Sequence, residues 1–288
     1  GIDEVYAVGG AGAIGAFAYG VSEIGLEPVD VVTGPGNNFV ASAKRVVAGV
    51  VGVDSEAGAT EILIVADASA DPRFVAVDLI SQAEHDEQAS AVLVTPSAEL
   101  AEAVTREVEA RVSGTRNAAR AIEALRGVQS AIILVDDLDT AIAFSNAYAP
   151  EHLEVLLEDA QVERFVNAGA VFVGDSSPVS LGDYLAGSNH VLPTGGQSRY
   201  TSGLSASTFL RPQQVIRYDR DALHAVAEGI LALAKAEALP AHGEAVTARA
   251  FVKEPHDRLI TTATRFWSAS GFSVNLGAGG LSFSVANL

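Results

Sequence analysis

Short apolar runs alternate along this chain with longer stretches whose apolar positions recur every three to four residues. The runs at 5–10 (VYAVGG), 29–36 (VDVVTGPG), 61–67 (EILIVAD), 90–96 (SAVLVTP), 131–137 (AIILVDD), 152–159 (HLEVLLED) and 169–175 (GAVFVGD) read as strands. Helical patterns occupy 11–20, 37–49 and 71–86; the last has Asp71 as N-cap and Pro72 in its first turn. Strands that are apolar on both faces, alternating with helices, imply a mostly parallel sheet covered on both sides. The fold class is therefore α/β. From residue 176 the pattern breaks into a long stretch rich in Gly, Ser and Pro that also carries Asp, Asn and His. An irregular stretch of that length in a compact protein usually serves function. A helix is expected near 219–238, and no internal repeat is present.

Composition narrows the classes. The chain has 288 residues, 49% hydrophobic and 19% charged, which suits a globular fold with a real core. Its net charge of −18 argues against binding nucleic acid or an anionic membrane through a general basic surface. With no cysteine, disulfides, thiolate metal sites and a cysteine nucleophile are excluded. No apolar run reaches the ~18 residues that span a bilayer, and no basic segment followed by an apolar run opens the chain. A cytoplasmic location is expected. The chain also lacks methionine and starts at Gly1, where the opening already reads as a strand entering a glycine turn. It is expected to begin inside a fold.

Several polar residues could carry chemistry. Glu151 and His152 are adjacent and follow Pro150. Gln82 and His85 are three apart near the end of the 71–86 helix, a spacing that shares one face. Asp183 and His190 lie in the irregular stretch, and His242 follows a helical segment. Each also has an ordinary explanation: a helix-terminal His meeting carbonyls, loop polarity, a helix C-cap. Together, Gln82, His85, Asp183 and His242 would form an oxygen-and-nitrogen donor set suited to zinc or a similar divalent metal. GPGNNF at 34–39 is a glycine turn opening a helix, where free N–H groups can receive an anion. Glycines 10, 12 and 15 match G-x-G-x-x-G between an expected strand and helix; close helix–strand packing would explain them equally well.

The stretches AVGGAGAIGAFAYG, GPGNNFVASAKRVV, ATEILIVADASADPRFVAVDLISQAEHD, NAYAPEHLEV, GAVFVGDSSPVSLGDYLAGSNHVLPTGGQSRYTSGLS and LPAHGEAVTAR occur in the order and near the spacing of one family. Over roughly residues 1–250 the chain resembles the L-histidinol dehydrogenases. That resemblance implies two successive NAD-dependent oxidations of histidinol to histidine, with an aldehyde-level intermediate, as the last step of histidine biosynthesis. It implies Gln82, His85, Asp183 and His242 as zinc ligands, which also makes them substrate-binding residues. It implies Glu151 and His152 as the catalytic acid/base pair, with His152 taking the alcohol proton and Glu151 activating the water that adds to the aldehyde. Thr60 stands where the family has a substrate-contacting serine. Glu237 would pair with the substrate's amino group, His190 would line the same pocket, and Asn37 would touch the cofactor. Gly12 stands where the family commonly has a cofactor-contacting glutamine.

The resemblance also sets an expected organisation. Residues 1–59 would be part of a cofactor-binding Rossmann-like domain, and 60–204 the catalytic α/β domain. Residues 205–250 would be a helical segment crossing to a partner in an intertwined homodimer, completing its site with Glu237 and His242. Residues 251–288 match nothing in the family. The sheets would be incomplete, because the family's chain is longer at its N-terminus, where a cofactor-contacting tyrosine lies. Two other readings stay open: a dehydrogenase of another small polar alcohol, and a non-catalytic, metal-binding dimeric fragment. A hydrolytic zinc enzyme is disfavoured, because no H-E-x-x-H helix is present.

Overall fold

The apolar run at Glu61–Ala66 becomes the middle strand of a five-stranded sheet. The computed structural model describes residues 2–55, 58–250, 272–277 and 280–285. Its chain divides into two compact units, Gly1–Arg211 and Pro212–Leu288.

The first unit opens with α1 (Gly10–Tyr19), β1 (Val31–Val32), α2 (Asn38–Val47) and β2 (Gly52–Val53). β1 and β2 pair in parallel, and Ile14, Ala18, Val32, Val47 and Val51 form their core. Then come β3 (Glu61–Ala66), α3 (Pro72–Ala83), β4 (Ser90–Thr95), α4 (Ala98–Val112), α5 (Ala118–Arg126), β5 (Ala131–Leu134), α6 (Leu138–Tyr148), β6 (His152–Leu156), β7 (Ala170–Val173) and α7 (Val179–Tyr184). The sheet order is β5-β4-β3-β6-β7, with every neighbouring pair parallel. One face packs Ile62, Ile64 and Leu156 against Val75 and Leu79 of α3, Leu100 and Val104 of α4, and Val179 of α7. The other packs Leu63, Val65, Leu153 and Val155 against Ala141 and Ile142 of α6 and against Phe165. Burial on both faces is why β3, β4 and β6 read as continuous apolar runs. The α/β class with parallel sheets flanked by helices is what the structure has.

The second unit holds α8 (Arg220–Ala236) and α9 (Pro240–Ala250), which pack on each other. It also holds the antiparallel pair β8 (Phe272–Gly277) and β9 (Gly280–Val285). These two strands fall within the unassigned tail; residues 251–271 lie outside the described residues. No helix among the described residues is long and apolar enough to cross a membrane.

Several local expectations change. No strand forms at 5–10: no described strand pairs with it, and Val5 stands 87% exposed. An unpaired strand cannot satisfy its backbone ladder. The glycines at 10, 12 and 15 therefore open α1 without a preceding described strand. A Cβ at any of the three would meet nothing within 4 Å, so helix–strand packing does not explain them. The helix expected at 71–86 stops at Ala83, while Asp71 caps its start by accepting from the Arg73 N–H at 2.8 Å. A short helix, α7, forms inside the stretch expected to be irregular, stacked by its Gly182 on the Phe172 ring.

Gly169 shows how tightly β7 lies on the start of β6. Its N–H donates to the Pro150 carbonyl at 2.9 Å. A Cβ there would sit 2.5 Å from the Glu151 carbonyl oxygen, a backbone atom that cannot yield. Gly169→Ala is expected to lower stability by about 1–3 kcal/mol in urea unfolding. Gly12→Ala, in an open helical position, is expected to be neutral or to raise it by up to ~1 kcal/mol.

A second constraint lies behind the sheet face that meets α3. Glu154 of β6 is 2% exposed and lies against Asp78 of α3, which is also buried. Burial and the facing Asp78 carboxylate push the Glu154 carboxyl up to about 9, and burial pushes Asp78 up as well. A proton held between them gives the two buried acids a hydrogen bond instead of a repulsion. In the window from the ordinary glutamate value of 4.5 up to about 9, the folded chain holds a proton that the unfolded chain has lost. Stability contributed by this group is full below that window and declines as pH rises through it. Glu154→Gln, whose amide donates to Asp78 without a titrating proton, is expected to flatten that decline, read as urea midpoints across the window.

Candidate active site

The amino ends of β3 and β6 lie side by side, with Ile62 opposite His152. The chain reaches β6 through a tight exit from α6. Ala149 caps that helix at φ 54°, and Pro150 follows. Glu151 precedes the strand and His152 is its first residue. Strict alternation has not begun at Glu151, so two consecutive side chains reach the same place. Glu151 Oε2 and His152 Nδ1 are 3.5 Å apart, and both residues are buried.

The backbone of Glu61 holds both. Its N–H donates to Glu151 Oε2 at 2.9 Å, and its carbonyl lies 3.0 Å from His152 Nδ1. A carbonyl only accepts, so Nδ1 carries the hydrogen and Nε2 keeps a lone pair. That lone pair faces Asp183 of α7, with Nε2 and Oδ1 3.9 Å apart. Burial holds the imidazole below its ordinary range, which favours the neutral base. Burial also pushes the Glu151 carboxyl up to about 7, against the pull of the Thr60 hydroxyl and the Glu61 N–H. The site thus holds a neutral imidazole with a free ring nitrogen beside a carboxyl poised between its two forms. Such a pair can accept and return protons near neutral pH.

The structure gathers most of the expected residues of the first unit here. Thr60 donates to Glu151 Oε2 at 2.6 Å, and Gln82 Nε2 donates to the Thr60 hydroxyl at 2.7 Å. The charges of Asp183 and His85 both act on Glu151, and that of His190 acts on His152. His85 lies past the end of α3, exposed, with its N–H on the Gln82 carbonyl at 3.2 Å. It shares the last turn of winding and not the helix itself. Asp183 sits in α7 and not in a capped loop turn. Glu237 and His242 belong to the second unit: Glu237 is the C-cap residue of α8, and His242 lies in the first turn of α9, not at a C-cap.

A cleft of about 410 Å³ opens beside Thr60, lined among others by Asn37, Asn38, Gly58, Asp86 and Gln88. Asn37 caps α2, its Oδ1 accepting the N–H groups of Phe39 and Val40 at 3.1 and 3.2 Å. Those two donors are therefore not free for an anion, unlike the expectation for the glycine turn. The turn itself is pinned. Buried Lys44 pairs with Asp54 and donates to the carbonyls of Gly34 at 2.6 Å and Ser55 at 3.0 Å. Gly34, at φ 118°, donates its N–H to Asp54.

The donor set can be tested against zinc. Gln82 directs its N–H₂ at Thr60, leaving its oxygen for another partner. Amide oxygen, imidazole and carboxylate are zinc-type donors. Among the described residues no three His, Cys, Asp or Glu side chains group around one point. Gln82, His85 and Asp183 are thus suited in kind, and a tetrahedral shell would take one donor more.

Sequence reasoning missed Glu61, whose role lies in its main chain. It also missed Gly169 and Gly182, whose missing Cβ atoms admit the Glu151 carbonyl and the Phe172 ring. Composition and spacing carry no sign of either.

The family model described as histidinol dehydrogenase matches residues 1–250. Histidinol dehydrogenase from Leifsonia xyli subsp. xyli is 66% identical over 251 residues, covering 86% of this chain and 58% of that protein. The one from Corynebacterium glutamicum is 60% identical over 251 residues, with 86% and 57% covered. The crystal structure of histidinol dehydrogenase from Elizabethkingia anophelis superposes with a TM-score of 0.78 at 38% identity, over 86% of this chain and 57% of that one. The chain thus spans a little under three-fifths of the length of these relatives. With most of its length matched, and Glu151 and His152 side by side at the amino-end edge of a parallel α/β sheet, the chain belongs to the histidinol dehydrogenase family.

Proposed function

We propose that this chain carries the acid/base centre of an NAD- and zinc-dependent dehydrogenase that converts L-histidinol to L-histidine in the last step of histidine biosynthesis. The observation that carries the reading is the convergence of Glu151 and His152 on the main chain of Glu61, with Nε2 of the imidazole left free. His152 would accept the alcohol proton at Nε2, and bound NAD would supply the hydride acceptor. Glu151 then takes a proton from the water that adds to the aldehyde. In the second oxidation His152, having released its first proton to solvent, would receive the hydroxyl proton of the hydrate at the same nitrogen. Two oxidations separated by a hydration need more than one proton acceptor at one carbon, which is why the two groups are neighbours.

Gln82, His85, Asp183 and His242 would hold zinc, which when bound supplies a Lewis acid that orients and polarises the substrate. Glu237 would pair with the substrate's amino group, and His190 would line the pocket. Gly12 and Asn37 would face NAD, Gly12 contributing backbone only. His242 and Glu237 would come from the partner in a cytoplasmic homodimer. The identity to histidinol dehydrogenases over most of this chain supports histidinol over other small polar alcohols.

Glu151→Gln is expected to keep aldehyde formation and to lose acid production by ~10²–10⁴-fold. Chromatography of the two products checks this; equal loss of both would sink the division of labour. His85→Ala and His242→Ala are each expected to strip the protein of zinc on dialysis, read by elemental analysis. Unchanged metal content would remove them as ligands.

A further inference from the structure

Lys44 is 1% exposed, and a lysine is seldom buried without partners. It sits on α2 and reaches back under the turn that opens that helix. An ammonium has three hydrogens. Among the described residues three acceptors meet them: the Gly34 carbonyl at 2.6 Å, the Ser55 carbonyl at 3.0 Å and Oδ1 of Asp54. Oδ2 of Asp54 accepts the Gly34 N–H at 2.9 Å, which closes a ring around Gly34. Both backbone groups of this glycine are thereby held, at a φ of 118° that few other residues adopt. The parallel pairing of β1 and β2 ends at Val32 and Val53. Beyond that point the two chains part, and two carbonyls cannot bond to each other. The Lys44 ammonium bridges them where the ladder stops.

The parted chains become walls of the cleft of about 410 Å³, with residues 36–39 on one side and 58–60 on the other. The cleft opens past the carboxyl ends of β1 and β2, the end of a parallel sheet at which ligands are usually received. It reaches Thr60, beside the Glu151 carboxyl. We propose that Lys44, acting through Asp54, is a positioning residue for the nicotinamide cofactor: its ring of bonds sets the gap between these two walls. Lys44 lies behind the turn and is too deeply buried to touch a ligand itself. Replacing a buried ion pair by uncharged residues of similar size often leaves stability unchanged, so what such a pair fixes is geometry. The ring rests on the hydrogen bonds alone. The identity of the ligand rests on the proposed function.

The test uses Lys44→Met combined with Asp54→Asn, which removes both charges and leaves an acceptor for the Gly34 N–H. Beside it stands Asp54→Asn alone, which keeps every donor of Lys44. Hydrogen exchange at the Gly34 amide reports the ring, and calorimetric titration with NAD reports the cleft. In the double variant Gly34 is expected to exchange about tenfold faster and NAD to bind about tenfold more weakly. Asp54→Asn is expected to stay within about threefold of the parent in both. In histidinol oxidation the double variant is expected to keep kcat at saturating NAD, and KM for histidinol, within about threefold, a split that general loss of structure would not give. Unchanged Gly34 exchange in the double variant would overturn the ring. Faster exchange with unchanged NAD affinity would overturn the cofactor role. Should the double variant not fold, the parent decides: NAD is expected to slow exchange at Gly36 and Phe39 by about threefold or more, and no change there overturns the cofactor role. A parent that binds NAD without oxidising histidinol counts against the proposed function alone, whereas one that binds no NAD overturns the cofactor role with it.

Discussion

The register between β3 and β6 fixes the candidate site. At the amino ends of two parallel strands, the first backbone groups have no neighbour above them to complete the ladder. Here Glu61 directs those groups at side chains: its N–H to the Glu151 carboxylate and its carbonyl to the His152 ring. Backbone atoms of a buried strand are stiff, so the separation of the carboxyl and the imidazole follows from the sheet. A one-residue slip would turn His152 toward α6 and send Leu153 into its place, because strand faces alternate. Gly169 secures the other side, where only a residue without Cβ lets β7 approach the Glu151 carbonyl.

Burial then acts on the two groups in opposite senses. It penalises charge, so it raises the carboxyl of Glu151 and lowers the imidazole of His152. Both shifts move toward a neutral form near physiological pH. The same penalty operates deeper on the same sheet face, where Glu154 meets Asp78. The two buried acids there resolve the conflict by sharing a proton. Four side chains of β6 and α3, Glu154 and His152 on one and Asp78 and Gln82 on the other, thus form a polar row inside an otherwise apolar layer.

Much of this was legible in the sequence, for physical reasons that differ by element. β3, β4 and β6 announce themselves because burial on both faces demands unbroken apolar runs. α3 does so through Asp71 and Pro72, whose capping chemistry is local. The adjacency of Glu151 and His152 was visible, and so was the proline-led turn that lets both point to one place. The strand expected at 5–10 failed because an apolar run specifies pairing capacity and not a partner. His85 leaving α3, and α7 forming within a glycine- and serine-rich stretch, are decided by tertiary contacts such as Gly182 on Phe172. The part played by Glu61 could not be read at all, since every residue has the same backbone groups and only the register selects which are used.

The placement of the site departs from the usual rule for open parallel sheets, in which ligands meet the carboxyl ends where strand order reverses. The reversal here lies between β3 and β6, and its carboxyl end is closed by Asp67. The Asp67 N–H donates to the Leu156 carbonyl at 3.2 Å, and its side chain accepts the Glu158 N–H at 3.0 Å. The open end is the amino end, and that changes the electrostatics. A helix that returns across a parallel sheet brings its C-terminus to the amino ends of the strands. α3 finishes there with Gln82 in its last turn, and α6 finishes there at Ala149, immediately before Pro150 and Glu151. Helix C-termini present carbonyl oxygens and the negative end of the dipole. A pyrophosphate would be repelled at this end of the sheet. A cation, or a base that becomes positive when it takes a proton, is favoured, and His152 is such a base.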